Sequence, residues 1–237
     1  MAEIVALSRP ISLDLLNEVY EEYITGYSKQ ESKEKLDEII SQKISSKDNI
    51  RKTRTIVQNL WYVDNDWLHE EAASVARYLT RIERLPVHWA LLMNYYRLFT
   101  DMCTVLGQLY EIKDSVSATQ IKSEIYSKWG ARSTLDASLS KTLKSLRDME
   151  ALEFGDSKTS YAKRTHTVSD PKVVALLFAA VMLATGQQYM TWESFITHPA
   201  IFPFVIRDVT QADMAAVSYL MMERMGEHVV FRVKESI

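Results

Sequence analysis

The fold is decided by residues 117–168, which form the stretch SATQIKSEIYSKWGARSTLDASLSKTLKSLRDMEALEFGDSKTSYAKRTHTV. Ser117 and Gln120 have the spacing of a capping box, in which each side chain bonds to the other residue's backbone N–H at a helix start. Apolar residues then recur at four-residue intervals as far as Trp129, and Gly130 follows them. Because this periodicity is helical and glycine commonly ends helices, a helix is predicted between Ser117 and Gly130.

A second, basic helix is predicted to begin at Ser133 or Thr134. One side of it is an apolar stripe, formed by Leu135, Leu139, Leu143, Leu146 and Met149. The opposite side is polar and cationic and carries Ser140, Lys141 and Lys144, with Arg147 close to them. We expect the apolar stripe to face the protein core and the lysines to face solvent.

A β-hairpin is predicted to follow, with Leu152–Phe154 as its first strand, Gly155-Asp156 as its turn and Lys163–Val168 as its returning strand. The returning strand begins with a basic group, Lys163, Arg164 and His166. Helix, turn, basic helix and hairpin is the order typical of a winged helix-turn-helix. The second helix of that motif commonly enters a DNA major groove, while the hairpin touches the backbone or the minor groove. The pattern therefore predicts nucleic-acid binding.

The composition indicates a mainly α-helical globular chain. Of 237 residues, 47% are hydrophobic and 25% are charged, and there are only six glycines and five prolines. Three parts are predicted: an N-terminal helical bundle over residues 1–86, a central winged helix-turn-helix over residues 87–168, and a C-terminal helical subdomain with a short strand over residues 169–237. A long helix from about Val87 to Glu111 is expected to close the bundle and to open the winged helix.

The C-terminal part contains the most apolar run of the chain, Val173–Thr185. Its 13 residues are fewer than the ~20 that a membrane span needs, so a buried helix and no membrane partner are predicted. A last helix is expected from Thr210 to Gly226, and a final strand over His228–Val233.

Charge is unevenly distributed along the chain, although the net charge is only −3. Residues 1–40 hold nine acidic and four basic residues, residues 43–54 hold five basic and one acidic, and residues 128–166 hold eight basic and five acidic. The distribution of charge matters more than its sum for attracting a polyanion. Both basic stretches are therefore candidate nucleic-acid surfaces.

Arg51, Lys52 and Arg54 form a second basic cluster, on a helix predicted to start after Ser46. Arg51 and Arg54 are three residues apart and share one face of that helix. Two interpretations of the second basic cluster stay open. In the first interpretation the cluster binds along a phosphate backbone, and in the second it forms ion pairs with neighbouring acidic helices.

The predicted DNA-contacting residues combine this cluster with the winged helix. Lysine and arginine would neutralise phosphates, and hydroxyl groups would donate to phosphates or base edges. The predicted set is Arg132, Thr134, Ser140, Lys141, Lys144, Arg147, Lys158, Lys163, Arg164, Arg51, Lys52 and Arg54. Winged helices also dock proteins, so a protein partner is the alternative interpretation of the same surface.

Enzyme and metal-site signatures are absent from the sequence. The five histidines form no H-x-x-x-H pair, and no G-x-x-x-x-G-K-[ST], G-x-G-x-x-G or G-x-S-x-G motif occurs. Cys103 is the only cysteine, and its apolar surroundings predict a buried thiol. No catalytic residue, metal or cofactor is therefore expected. Without a signal-peptide pattern or a cysteine pair, a cytoplasmic, reducing location is expected.

Several short motifs occur in an order that resembles the BrxA-type proteins of BREX bacteriophage-exclusion systems. They are Arg51-Lys52-Thr53-Arg54, Leu60-Trp61, His88-Trp89, Leu106-Gly107-Gln108-Leu109, Trp129-Gly130-Ala131-Arg132 and Leu143-x-x-Leu146. The resemblance covers most of the chain. It implies a small, helical, non-enzymatic DNA-binding protein with winged-helix character, acting beside methyltransferase and ATPase components in phage defence. It also implies an N-terminal bundle similar to that of the RNA-binding antitermination factor NusB.

These observations together predict a protein that binds double-stranded DNA without catalysing a reaction, as a component of a phage-defence system with other defence proteins as further partners. A transcriptional regulator of similar architecture is the first alternative. A scaffold whose winged helix docks a partner protein is the second. Salt-dependent DNA binding distinguishes the scaffold from the other two, and a preferred operator distinguishes the regulator from the defence component.

Overall fold

The computed structural model describes residues 6–63 and 66–234. This part of the chain is mainly helical, and its strands are short and belong to three small sheets. The first five helices are α1 (Leu13–Tyr23), α2 (Ser32–Ser41), α3 (Lys47–Trp61), α4 (Trp67–Ala76) and α5 (Leu85–Tyr95). The helix predicted after Ser46 is therefore confirmed as α3.

The prediction of a single long helix from Val87 to Glu111 is wrong, because the chain forms two helices there. Helix α5 ends at Tyr95 and α6 (Arg97–Tyr110) begins after Tyr96, whose backbone is extended at φ −123° and ψ 94°. The Tyr96 side chain is buried. Neither proline nor glycine marks the break, so tertiary packing decides it.

The two helices serve different neighbours. Nine consecutive residues of α5, Leu85–Met93, are buried, and α5 packs along the equally apolar α9 (Pro171–Thr185). Helix α6 instead packs on a 3-10 turn, Pro199–Ile201. A Cβ atom at Gly107 would lie 2.1 Å from the Pro199 carbonyl oxygen, so only glycine permits this close approach.

After α6 the chain forms β1 (Ser115–Ser117), α7 (Ala118–Trp129), α8 (Ser133–Asp148), β2 (Leu152–Phe154) and β3 (Ser160–Lys163). The three strands form an antiparallel sheet in the order β1-β3-β2. We call α6 to β3, residues 97–163, the central unit. The predicted capping box of Ser117 and Gln120 is present at the start of α7. All five residues of the predicted apolar stripe on α8 are buried.

The predicted returning strand of the hairpin is displaced. The strand that pairs with β2 is β3, which ends at Lys163 rather than beginning there. His166–Val168 is a separate strand, β4, which pairs in parallel with β5 (Phe204–Ile206) in another sheet. The strand β3 has one large apolar side chain, Tyr161, among its four residues, so the apolar alternation that predicts a strand is weak there.

The C-terminal part contains more strand than predicted. After α9 and α10 (Trp192–Ile196), Thr210 caps α11 (Gln211–Ala215), which is only five residues long. The prediction that this helix continues to Gly226 is wrong. Leu220–Met225 is a strand, β6, which pairs with β7 (His228–Val233). The final strand is confirmed. Cross-strand pairing overrides the helical propensity of the methionine-rich sequence before Gly226.

One contiguous hydrophobic core contains buried side chains from all three predicted parts, such as Leu16, Leu139 and Phe178. The predicted borders at residues 86 and 168 therefore do not separate independent cores, and they stay predictions about domain organisation. Across the described residues, every helix is too short or too polar to traverse a lipid bilayer.

Candidate nucleic-acid interface

Helix α8 presents a narrow exposed ridge on the side opposite its leucines. Its 16 residues span ~24 Å at 1.5 Å per residue. The exposed ridge of α8 consists of Ser133, Ala137, Ser140 and Lys144, which follow one another at three- and four-residue steps and are all exposed. Three of the four side chains are small, so the helix backbone can closely approach a flat or grooved partner.

The two flanks of this ridge differ. On one flank, Ser145 is buried, and its hydroxyl accepts the backbone N–H of Ile11 at 3.0 Å, so the N-terminal segment covers that side. Lys141 lies one turn before Ser145 and is half-buried. On the other flank, the Arg147 guanidinium stacks over the Phe154 ring, 4.6 Å from its centroid. The N-terminal segment and the hairpin thus border the ridge.

The lysines and arginine of α8 differ in their partners. Asp148 binds both the Lys144 ammonium, at 2.6 Å, and the Arg147 guanidinium, at 3.3 Å. Lys141 has no ion pair within residues 6–63 and 66–234. Sequence reasoning missed Asp148, although the four-residue spacing from Lys144 is the known signal of a helical ion pair.

The start of α8 is fixed by polar contacts. Arg132 is the N-cap residue, and its guanidinium donates to the Trp129 carbonyl at 2.9 Å. Asp136 accepts the Tyr126 hydroxyl and pairs with Lys122 at 2.9 Å, and these two contacts lower the pKa of the Asp136 carboxyl. The aspartate therefore ties α8 to α7.

The remaining predicted hydroxyl residues of α8 are accessible. Thr134 is exposed in its first turn. Ser140 is also exposed, and its hydroxyl donates to the Asp136 carbonyl at 3.0 Å, which leaves the oxygen able to accept a further hydrogen bond.

The hairpin carries two exposed lysines at different places. Lys158 lies in the loop between β2 and β3, where the Ser157 backbone N–H donates to the Ser160 hydroxyl at 3.1 Å and holds the loop. Lys163 lies at the other end of β3 and lines a cleft of about 220 Å³ with Gly107 and Glu111. In the described part of the chain, neither lysine forms an ion pair.

Arg164 lies beside the end of α8 rather than at the hairpin loop. Its guanidinium is 3.5 Å from the carboxylate of Glu150, which also binds Arg81 at 2.7 Å. Glu150 has a positive φ of 66°, a conformation that a side-chain-bearing residue rarely adopts. Arg164 is therefore held at the junction with the N-terminal helices.

The second basic cluster is engaged in ion pairs. Asp48 binds Arg51 at 2.9 Å and Lys52 at 2.6 Å, and Arg54 binds Asp37 of the neighbouring helix α2. Lys52 and then Arg51 lower the pKa of the Asp48 carboxyl from 3.8 to about 2. The ion-pair interpretation of this cluster is thus observed, and DNA contact by it stays a prediction.

Cys103 is buried as predicted, and burial raises the pKa of its thiol. In the parts of the chain that the structure describes, no three His, Cys, Asp or Glu side chains are grouped so that they could hold a metal ion.

Comparison of the chain with protein-family models, with curated proteins and with solved structures gives no match. The resemblance to BrxA-type proteins therefore stays a prediction from the sequence motifs.

Proposed function

We propose that the chain binds double-stranded DNA through a winged helix formed by the central unit, without catalysing a reaction. The observation that carries the proposal is the exposed ridge of α8. It places small and hydroxyl-bearing side chains on the face opposite a buried leucine stripe, with Lys141 and Lys144 on or beside it.

The order and pairing of the elements support the winged-helix assignment. Helix α6, strand β1, helices α7 and α8 and the β2–β3 hairpin follow one another, and β1 pairs with β3 beside β2. This arrangement attaches the hairpin to the two helices through a sheet. The residues of the exposed ridge of α8 stay exposed beside this sheet.

The chemistry of the ridge supports duplex DNA as the ligand. A major groove ≈12 Å wide admits an α-helix. Small, exposed side chains at Ser133, Ala137 and Ser140 would allow that entry. In this proposal Lys141, Lys144 and Lys158 bind the flanking phosphates. Their contacts would supply affinity without sequence information, whereas the serine hydroxyls can meet base edges.

The resemblance to BrxA-type proteins supports a role for this binding in phage defence, beside methyltransferase and ATPase components. A transcriptional regulator would use the same surface. The protein-docking alternative draws support from the net charge of −3 and from the ion pairs of Lys144 and Arg147.

A fluorescence-anisotropy titration of a short labelled duplex, repeated over a range of salt concentrations, tests the proposal. We expect saturable binding whose log affinity falls with log salt at a slope of ~0.9 for each neutralised phosphate. Absence of binding even at the lowest salt overturns the proposal and favours the scaffold. Selection of one short operator from a random pool favours the regulator, and equal binding to all sequences favours the general defence component.

A further inference from the structure

Asp148 is an unexpected residue at the end of α8. It is the last residue of the helix, where the carbonyl groups give the helix dipole its negative end. A carboxylate there is electrostatically unfavourable, and a cation would be favourable. Its presence close to a proposed polyanion-binding ridge therefore needs a physical reason.

The contacts of Asp148 supply that reason. One carboxylate oxygen lies 2.6 Å from the Lys144 ammonium, and the other lies 3.3 Å from the Arg147 guanidinium. About half of the Lys144 side chain is exposed and about three quarters of the Asp148 side chain is covered. One carboxylate thus neutralises two of the three cations that α8 places on and beside its exposed ridge.

Arg147 is also held by the hairpin. Its guanidinium stacks on the Phe154 ring, whose own neighbour is the stacked ring of Tyr161. Because its guanidinium carbon lies over the Phe154 ring, 4.6 Å from the centroid, Arg147 would keep this contact if Asp148 lost its charge. Its N–H groups would then be available to a phosphate.

We propose that Asp148 limits the affinity of the central unit for DNA by competing with phosphates for Lys144 and Arg147. This inference rests on the proposed function, because it assigns a positioning role to a residue of the same surface. A phosphate recruits either cation only by displacing the carboxylate, so binding that depends on charge alone is suppressed. Contacts made by the small residues of the ridge are unaffected. Asp148 thereby reduces binding to DNA of arbitrary sequence.

The test compares Asp148→Asn with the wild type in the full chain, using a labelled duplex of arbitrary sequence. Asparagine has the same shape and lacks the charge, and its replacement of an acid at a helix C-terminus does not threaten folding. We expect an affinity gain of roughly eightfold at 0.1 M salt for each cation released, the value that a slope of ~0.9 per phosphate gives relative to 1 M salt. The salt slope should steepen by the same ~0.9 per cation.

Glu153→Gln is the matched control. Glu153 is exposed on β2 and forms no ion pair in the described residues, so its loss removes the same charge without releasing a cation. We expect it to leave the salt slope unchanged. A third variant, Asp148→Asn combined with Lys144→Ala and Arg147→Ala, should show no gain over Lys144→Ala with Arg147→Ala.

The outcomes distinguish a failure of the proposed competition by Asp148 from a failure of the proposed DNA binding. If the wild type binds DNA and Asp148→Asn has the wild-type affinity and slope, the competition is overturned and the proposed function stands. A gain that Glu153→Gln reproduces, or one that persists without Lys144 and Arg147, also overturns the competition. If neither the wild type nor Asp148→Asn binds DNA at any salt, the proposed function is overturned and this inference with it.

Discussion

Helices α3 and α8 are both amphipathic and basic, but their cations are in different surroundings. On α3, Arg51 and Lys52 share Asp48, and Arg54 is largely buried against Asp37 of α2. On α8, Lys144 and Arg147 likewise share Asp148, but Lys141 has no ion pair in the described chain, and neither has Lys158 in the hairpin loop. In the sequence, the stretches that contain these helices looked alike, because both have more basic than acidic residues. The partners of the cations, more than their number, therefore decide which basic helix can receive a phosphate backbone.

A large loss of stability in Leu143→Ala would test whether α8 has one buried face and one exposed face. Leu143→Ala removes a side chain that is 3% exposed, and it should lower the free energy of unfolding by ~2–5 kcal/mol. Ser140→Ala, on the opposite face, should change it by no more than ~0.5 kcal/mol. Chemical denaturation measures both. Similar values for the two variants would contradict the assignment of the exposed ridge and the comparison built on it.

Loss of DNA affinity on replacing the lysines of α8 and the hairpin tests whether α8, rather than α3, contacts DNA. Replacing Lys141, Lys144 and Lys158 by alanine should weaken duplex binding by roughly 60-fold at 0.1 M salt, because Lys141 and Lys158 would each lose a phosphate contact worth roughly eightfold, whereas Lys144 is already held by Asp148. The melting temperature should stay close to that of the wild type, since the three side chains are at or near the surface.

A matched variant on α3 removes the same charge from the other helix. With Lys47, Arg51 and Lys52 replaced by alanine, we expect DNA affinity to change much less than in the α8 and hairpin variant, because two of these cations are already paired with Asp48. Anisotropy titrations at several salt concentrations compare the two. Equal losses of affinity would show that ion pairing does not exclude α3 from the interface.

A smaller effect concerns the structural role of Arg54. Only 12% of its side chain is exposed, and its partner Asp37 has a second carboxylate oxygen that is buried without a hydrogen bond. Arg54→Ala should therefore lower the free energy of unfolding by ~1 kcal/mol, at the upper end of values for ion pairs near the surface. Its DNA affinity should equal that of the wild type. A loss of DNA affinity with unchanged stability would instead assign Arg54 to the interface.

The smallest effect is a carboxyl titration that tests whether the ion pairs of α3 persist in solution. The pKa of Asp48 is lowered from 3.8 to about 2, first by Lys52 and then by Arg51. Since the folded-state pKa is the lower one, the stabilisation from these pairs is present above about pH 3.8 and is lost as the pH falls through about 2. NMR titration of Asp48 should give the low value in the wild type. In Arg51→Ala with Lys52→Ala the pKa should return towards 3.8, and an unchanged value would show that these pairs do not hold the carboxylate.

Much of the local structure of the central unit could be predicted because its signals are local. The capping box at Ser117, the stop at Gly130 and the leucine stripe of α8 each depend on residues within one or two helical turns. The start of α11 at Thr210 and the final strand over His228–Val233 were predicted on the same basis. Such signals do not require knowledge of any distant partner.

The errors in the predicted fold involve pairing between separate segments, some of them far apart in the sequence and some in neighbouring hairpin strands. The break at Tyr96 turns α5 towards α9 and α6 towards the 3-10 turn at Pro199. His166–Val168 is a strand because Phe204–Ile206 lies beside it, and Leu220–Met225 is a strand because His228–Val233 returns along it. Apolar periodicity cannot distinguish these cases, since the deciding hydrogen bonds join separate segments.

The candidate interface divides in the same way. The spacing of residues in the sequence was enough to predict that α8 has a leucine face and a face with serines and lysines, because a helix of fixed pitch places residues three and four apart on the same side. The spacing of Lys144 and Asp148 is also readable in the sequence, whereas the folded structure was needed to show that Lys141 has no ion pair in the described chain and that Arg164 lies against Glu150. The physical reason is that ion pairing depends on separations of a few ångströms between side chains, and for partners on different elements the folded chain alone sets those separations.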